Sequence, residues 1–429
     1  MIQKIVPPKK IAGEVLIPPD KSITHRAVLF SSLAKGLSTI ENPLEAEDCL
    51  STLQCIEDLG CRITKGEKRW TVEGKGLWGY QRPRRPLHCG NSGTTMRLLS
   101  GILSAQPFET ELLGDESLSK RPMARVADPL RKMGAAISLH EGNTPPMKIT
   151  GSKNLKPLDW ENPISSAQVK SAILLAALHT KGKTTYSEPT LSRDHTERML
   201  EASGITLQRE NATIAIEGSK EPKVMTWVIP GDFSSAAFFV VAALIKPNSS
   251  LTLKSVNVNP TRTGLLDVLK QAGAQVQIKN FKMMGGEPVG DIEVTYGTSL
   301  KAFEVKNEIV PRLIDEIPIL AVLATQSKGV SVFYGVEELR HKESDRIATL
   351  STNLRKMGAK ITEEKDGFRV EGPTRLKGAT VSSFGDHRIG MACAIAALAA
   401  QGESIIEGSE AYAISFVNFP ETMTSICLS

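Results

Sequence analysis

Cysteine and aromatic residues are scarce in this chain. Aromatics make up 5% of it, and six cysteines are spread over 429 residues. The cysteines form no CxxC pair. Cys49, Cys55 and Cys61 stand six apart in and just after an expected helix, where they read as small core residues of a reducing, cytoplasmic protein. The seven histidines show no HxH or HExxH spacing, so no metal is expected. Charge of one sign is also lacking: 52 Lys and Arg face 47 Asp and Glu, a net +5, too mild for a nucleic-acid binder. The longest apolar run, "AAFFVVAALI" at 236–245, is half the length of about 20 residues that a membrane helix needs. The start, "MIQKIVPPKK", has no apolar run of the signal-peptide kind. These absences leave a soluble protein of two or three domains with ordinary cores.

What is present is repetition. A helix end, a Gly and a strand recur as "CIEDLGCRI", "PLRKMGAAI", "MLEASGITL", "VLKQAGAQV" and "NLRKMGAKI". Gly suits the left-handed position that closes a helix. Each copy is followed by a hairpin-like pair closing in Gly: "WTVEG", "MKITG", "IAIEG", "IEVTYG" and "FRVEG". An Ala-rich helix alternates with this phrase, as in "HRAVLFSSLAKG", "TMRLLSGILSAQ", "QVKSAILLAALHTKG", "SSAAFFVVAALIKP", "DEIPILAVLATQSKG" and "RIGMACAIAALAAQG". Six copies give about 71 residues per unit. The helices are apolar nearly all round, so they belong in domain centres rather than on the faces of a solenoid. Three copies per domain places boundaries near Pro18–Pro19 and Gly231: residues 19–231 form one domain, and residues 1–18 with 232–429 form the other.

Polar clusters stand at helix starts in most copies. They include "DKSITHR", "GNSGTTMR", "SLSKRPMAR", "ISSAQVK", "SRDHTER", "NPTRTG", "LIDEIP", "RHKESDR" and "GDHRIG". In the first, Lys21 and Arg26 add positive charge where the helix dipole is already positive, which suits an anionic ligand. "GNSGTTMR" lacks the GxxxxGK[ST] of a nucleotide P-loop. Any one cluster alone reads as a capped turn or a solvated face. Together they read as a basic surface for phosphates and carboxylates.

The clusters "DKSITHR", "GNSGTTMR", "SKRP", "SAQVKSA", "RDHTE", "LIDE", "KESDR" and "GDHRIGMA" run in this order along nearly the whole chain. The sequence thereby resembles the 5-enolpyruvylshikimate-3-phosphate synthase family of enolpyruvyl transferases. The resemblance implies an α/β fold of two domains, each of three βαβαββ repeats with buried helices and outer sheets, and an active site in the interdomain cleft. It implies transfer of the enolpyruvyl group of phosphoenolpyruvate to the 5-hydroxyl of shikimate 3-phosphate by addition and elimination, with no cofactor and with glyphosate as inhibitor. A monomer is expected because the repeats leave no obvious apolar face over.

By that resemblance, shikimate 3-phosphate is bound by Lys21, Ser22, Arg26, Ser166, Ala167, Gln168, Arg193, Asp315 and Lys342. Phosphoenolpyruvate is bound by Lys21, Gly93, Arg121, Gln168, Arg346 and Arg388. Asp315 takes the 5-hydroxyl proton, and Glu343 or Lys21 protonates the methylene carbon. The 19–231 domain is thus the shikimate phosphate side and the other the enolpyruvate side. The chain departs from the family at "AISFVNFPET": Val417 and Asn418 stand where many members carry a phosphate-binding Lys before an aromatic–Pro pair. "RDHTE" and "SAQVK" resemble glyphosate-tolerant members, whereas Gly93 and "PDKS" do not, so moderate tolerance is expected. The competing expectations are transfer to UDP-N-acetylglucosamine, whose enzymes typically have Lys-Asn at 21–22 and a reactive Cys loop, and a non-catalytic scaffold that binds an acidic partner.

Overall fold

The computed structural model describes residues 1–296 and 299–428; Gly297, at the end of "IEVTYG", lies outside them. The chain divides into two compact units. The first comprises Pro19–Ile229 with Met283–Glu287; the second comprises Met1–Pro18, Pro230–Lys282 and Pro288–Ser429.

The first unit carries α1 (Lys21–Leu33), α2 (Glu47–Asp58), α3 (Gly93–Leu103), α4 (Ala124–Met133), α5 (Ala167–Ala177) and α6 (His195–Ala202). α1, α3 and α5 are the Ala-rich helices, and they are buried along most of their length. Leu29, Leu99 and Ile173 lose all exposure. Each such side chain contributes about 1.5–3 kcal/mol through removal from water. α2, α4 and α6 bury one face only, as their mixed sequences require. Three four-stranded sheets cover these helices, and all three repeat one topology. In the sheet built on Lys35–Glu41, one edge strand, Thr226–Val228, pairs parallel to it, while Arg69–Lys75 and then Arg62–Gly66 add antiparallel. The sheets built on Glu109–Leu113 and Lys183–Ser187 follow the same pattern.

The second unit carries α7 (Phe233–Ile245), α8 (Gly264–Gln271), α9 (Ile317–Gln326), α10 (Arg346–Lys356), α11 (His387–Ala399) and α12 (Phe419–Ser425). α7, α9 and α11 form its buried centre, and every residue of α7 is buried. The N-terminal residues complete two of its sheets. Lys10–Leu16 pairs parallel to Ser250–Asn257, and Ile2–Ile5 pairs antiparallel to Ser404–Glu407. The sheet on Gly329–Phe333 has the four-stranded pattern of the first unit. The glycines that punctuate the repeat (Gly60, Gly134, Gly204, Gly273 and Gly358) all have positive φ, and at Gly134, with φ 110°, the cap amide bonds back to Leu130 and Arg131. Cys49, Cys55, Cys61, Cys89 and Cys393 are buried thiols. No helix among the described residues is long and apolar enough to cross a membrane.

Candidate active site

The quoted polar clusters stand at helix starts, and at α1, α3, α5, α10 and α11 a short polar side chain caps the orphan amides there. Asp20 accepts from the Ile23 amide at 2.8 Å, Ser92 from Thr95 at 3.1 Å, Ser166 from Val169 at 3.4 Å and Asp386 from Arg388 at 2.9 Å. The residues beside the caps are therefore fixed relative to rigid, buried helices.

In the first unit, Lys21 Nζ donates to Asp48 Oδ2 at 3.0 Å. Arg26 is 3% exposed. Its Nε donates to Thr196 Oγ1 at 2.8 Å, its Nη1 to the Ser22 carbonyl at 2.9 Å and its Nη2 to Ser171 Oγ at 2.9 Å. Burial brings the Arg26 guanidinium down to about 10, and Arg193 adds to that, against the opposing pull of Glu197, Asp20 and Glu287. Arg193 lies in the loop before α6, one residue ahead of its N-cap Asp194. Gly93 is the first residue of α3. A Cβ placed there would lie 3.4 Å from Arg97 Nη1 and 3.6 Å from Arg121 Nη1. Arg121 Nη2 donates to Asn91 Oδ1 at 2.6 Å and Ser117 Oγ at 3.1 Å. Arg97 donates to Gln168 Oε1, and Gln168 Nε2 in turn donates to Thr94 Oγ1 at 3.0 Å. Ser166 caps α5 and Ala167 opens it. Lys21, Ser22 and Arg26 thus share the start of α1. Arg26 also reaches α5 and α6. Gly93, Arg121 and Gln168 gather around Arg97.

In the second unit, Arg346 opens α10 and is 1% exposed. Its Nε donates to Asp386 Oδ2 at 2.7 Å, its Nη2 to Glu343 Oε2 at 2.6 Å and its Nη1 to Asp315 Oδ1 at 3.4 Å. Burial alone would lower its affinity for the proton. Asp386, Glu343 and Asp315 overcome that and hold it charged well above the ordinary arginine value. Arg388 opens the α11 side of the cluster, with Nε 3.6 Å from Asp315 Oδ1 and Nη1 3.4 Å from the Asp315 carbonyl. Lys342 sits one residue before Glu343 and donates to Glu338 at 3.2 Å. Asp315, Glu343, Arg346 and Arg388 therefore form one hydrogen-bonded set, with Lys342 at its margin. Val417 is exposed just before α12, whose N-cap is Asn418.

Several participants carry no role in the sequence reading. Asp48 lies in the acidic first turn of α2 and pairs with Lys21. Asp386 holds Arg346 from the capping position of α11. Arg97 stands one helical turn after Gly93, a spacing that places both on one face and could have drawn attention to it. The pairing of Asp48 depends on a second helix, which no local pattern reports.

The architecture is that of the enolpyruvyl transferases. The enolpyruvyl transferase NikO from Streptomyces tendae superposes with a TM-score of 0.80 over 99% of this chain and 97% of its own, at 16% identity, a likeness of fold alone. The EPSP synthase from Acinetobacter baumannii superposes with a TM-score of 0.89 at 41% identity, covering 100% of this chain and 99% of that one. The 3-phosphoshikimate 1-carboxyvinyltransferase of Brevibacillus brevis is 49% identical over 419 residues, 97% of this chain and 98% of its own. That of Desulforamulus reducens is 47% identical over 426 residues, 98% of each chain. Residues 5–423 match the family described as EPSP synthase (3-phosphoshikimate 1-carboxyvinyltransferase). The chain belongs to the EPSP synthase family.

Proposed function

We propose that this chain transfers the enolpyruvyl group of phosphoenolpyruvate to the 5-hydroxyl of shikimate 3-phosphate and releases phosphate, a step toward chorismate and the aromatic amino acids. The observation that carries the chemistry is that two carboxylates, Asp315 and Glu343, share the guanidinium of Arg346. The reaction needs a base for the 5-hydroxyl proton and an acid for the methylene carbon. Asp315 takes the first role. Glu343, with Lys21 as the competing group, takes the second.

Phosphoenolpyruvate brings its own carboxylate and phosphate to Arg346 and Arg388. Those anions compete with Glu343 for the same N–H donors. Glu343 is then free to carry a proton to carbon. As the methylene carbon is protonated, the 5-oxygen released by Asp315 bonds to the neighbouring phosphate-bearing carbon. The tetrahedral adduct so formed collapses when Glu343 withdraws a methyl proton and the C–O bond to phosphate breaks. On the first unit, Lys21, Ser22, Arg26, Ser166, Ala167, Gln168 and Arg193 hold shikimate 3-phosphate, joined by Asp315 and Lys342. Lys21, Gly93, Arg121 and Gln168 complete the phosphoenolpyruvate set. Arg121 and Arg388 supply planar forks suited to carboxylate and phosphate. Glyphosate, an anion with a carboxylate and a phosphonate, competes for this second set. The protein works as a cytoplasmic monomer.

The test is phosphate release from phosphoenolpyruvate with shikimate 3-phosphate in one tube and UDP-N-acetylglucosamine in another. Release in the first tube alone is expected. Release in the second alone would move the acceptor assignment away from Ser22, Arg26 and Ser166, and release in neither would leave an anion-binding protein without this chemistry.

A further inference from the structure

Glu188 stands just after the strand Lys183–Ser187, in the loop that leads to α6. Its side chain and that of Lys170 are both fully enclosed. The carboxylate accepts from five donors. Oε1 takes the Ser192 amide at 2.7 Å, Ser192 Oγ at 2.7 Å and Lys170 Nζ at 3.1 Å. Oε2 takes the Ser166 amide at 3.0 Å and the Tyr186 hydroxyl at 3.1 Å. Lys170 Nζ also donates to the Ser192 carbonyl at 3.1 Å, so Ser192 is gripped from both sides. The same two loops are stitched once more: Ser165 Oγ donates to the Thr190 carbonyl at 2.6 Å and accepts from the Thr190 amide at 3.1 Å.

No substrate can touch Glu188 while it is enclosed in this way. Stability does not explain its presence well, because a buried ion pair seldom exceeds a packed apolar pair of the same volume. Its position does explain it. The loop before α5 presents Ser166, and the loop before α6 presents Arg193 immediately after Ser192. One rigid carboxylate binds the backbone amides of Ser166 and Ser192 at once.

We propose that Glu188 is a positioning residue for acceptor recognition, setting Ser166 and Arg193 at the separation that shikimate 3-phosphate requires. This rests on the function proposed above. Glu188→Gln keeps one oxygen but replaces the other with an NH2 group that cannot accept. Either the Ser166 side or the Ser192 side then loses its tether and its loop shifts, while Lys170 keeps Glu197 Oε1 at 2.8 Å. Small displacements of binding groups are costly to a bound complex.

The full-length chain is compared with Glu188→Gln, Ser192→Ala and Tyr186→Phe in steady-state assays below each variant's melting temperature. For Glu188→Gln, KM for shikimate 3-phosphate is expected to rise about tenfold or more, with KM for phosphoenolpyruvate within about twofold of the parent. Ser192→Ala and Tyr186→Phe move the same constant in the same direction by less. They also carry the test if Glu188→Gln does not fold. An unchanged KM for shikimate 3-phosphate, or an equal change for both substrates, overturns the proposal, because a general loss of structure does not discriminate between substrates. Calorimetric titration of the parent chain with shikimate 3-phosphate separates the two levels. No binding by the parent overturns the functional reading and this proposal with it. Parent-like binding by all the variants overturns the positioning role alone.

Discussion

Arg346 Nη2 lies 2.6 Å from Glu343 Oε2, three residues earlier at the same helix start. Glu343 lies in the bend before the N-cap Asp345, so the contact is made by the preceding loop folding back onto the first residue of α10. The pair matters because Glu343 is the group proposed to move a proton to and from carbon, and Arg346 is the cation that its substrate must also engage. Replacement of Glu343 by Gln keeps the shape and a hydrogen-bond acceptor for Arg346 but removes the transferable proton. It should lower kcat by about 10²–10⁴-fold and change KM for phosphoenolpyruvate much less. Steady-state rates of phosphate release check this. A variant with near-parent kcat would shift the role to Lys21.

Arg346 is also a structural ion. It is enclosed by Asp386, Glu343 and Asp315, and they keep it charged across the whole range in which the protein is folded. It therefore contributes no titration of its own to the rate profile. Replacing it with Met removes the guanidinium that three carboxylates share in a poorly hydrated place. The expected cost is about 3–5 kcal/mol of stability, seen as a lower urea midpoint with an unchanged slope. A midpoint equal to the parent's would mean that water or a cation compensates the acids.

Gly93 makes room for ligand rather than for backbone. The atoms nearest to an added Cβ are the flexible guanidinium ends of Arg97 and Arg121, with Leu118 Cδ1 at 3.7 Å. Gly93→Ala should therefore leave stability within about 1 kcal/mol of the parent. The methyl instead occupies space beside two arginines, one of them in the proposed phosphoenolpyruvate set. Inhibition by glyphosate should weaken, with a smaller rise in KM for phosphoenolpyruvate. Measured inhibition constants decide the matter, and an unchanged glyphosate constant refutes the steric account.

Much of this was legible in the sequence, and the reason is local. Helix caps, Gly-terminated helices and all-apolar helices leave marks within about ten residues, so the repeat and the buried helices α7 and α11 could be read directly. The pairing of Ile2–Ile5 with Ser404–Glu407 spans almost the whole chain, and only the count of repeats hinted at it. The site residues were reached by resemblance, with caps explaining why they sit at helix starts. What stayed hidden is the support behind them. Asp48 against Lys21, Glu188 against Ser166 and Ser192, and Arg97 against Gln168 all join elements distant in sequence. Arg26 illustrates the same limit. Its charge suggested a ligand, but nothing local revealed that Thr196, Ser171 and the Ser22 carbonyl already take three of its donors.

The buried His25 makes stability depend on pH in a direction that can be worked out. Its Nδ1 lies 2.6 Å from Thr52 Oγ1. Burial, then the charges of Lys21 and Arg26, depress its proton affinity well below the ordinary histidine value of 6.5. The unfolded chain therefore binds a proton near pH 6.5 that the folded chain refuses. Between the depressed value and 6.5 the unfolded state holds more protons, so stability rises with pH through that window. The contribution is complete above 6.5 and is lost progressively as the pH falls. His179 is also depressed by burial and adds to the same trend, whereas Glu197, raised by burial, opposes it. The His25 part is isolated by comparing the parent with His25→Gln. Urea unfolding at several pH values from 7.5 down to 5 should show the variant less stable at the top of that range, with the deficit shrinking as the pH falls. Parallel stability curves for the two proteins would mean that His25 is protonated equally in the folded and unfolded states, and that the Lys21 and Arg26 charges at the start of α1 do not reach it.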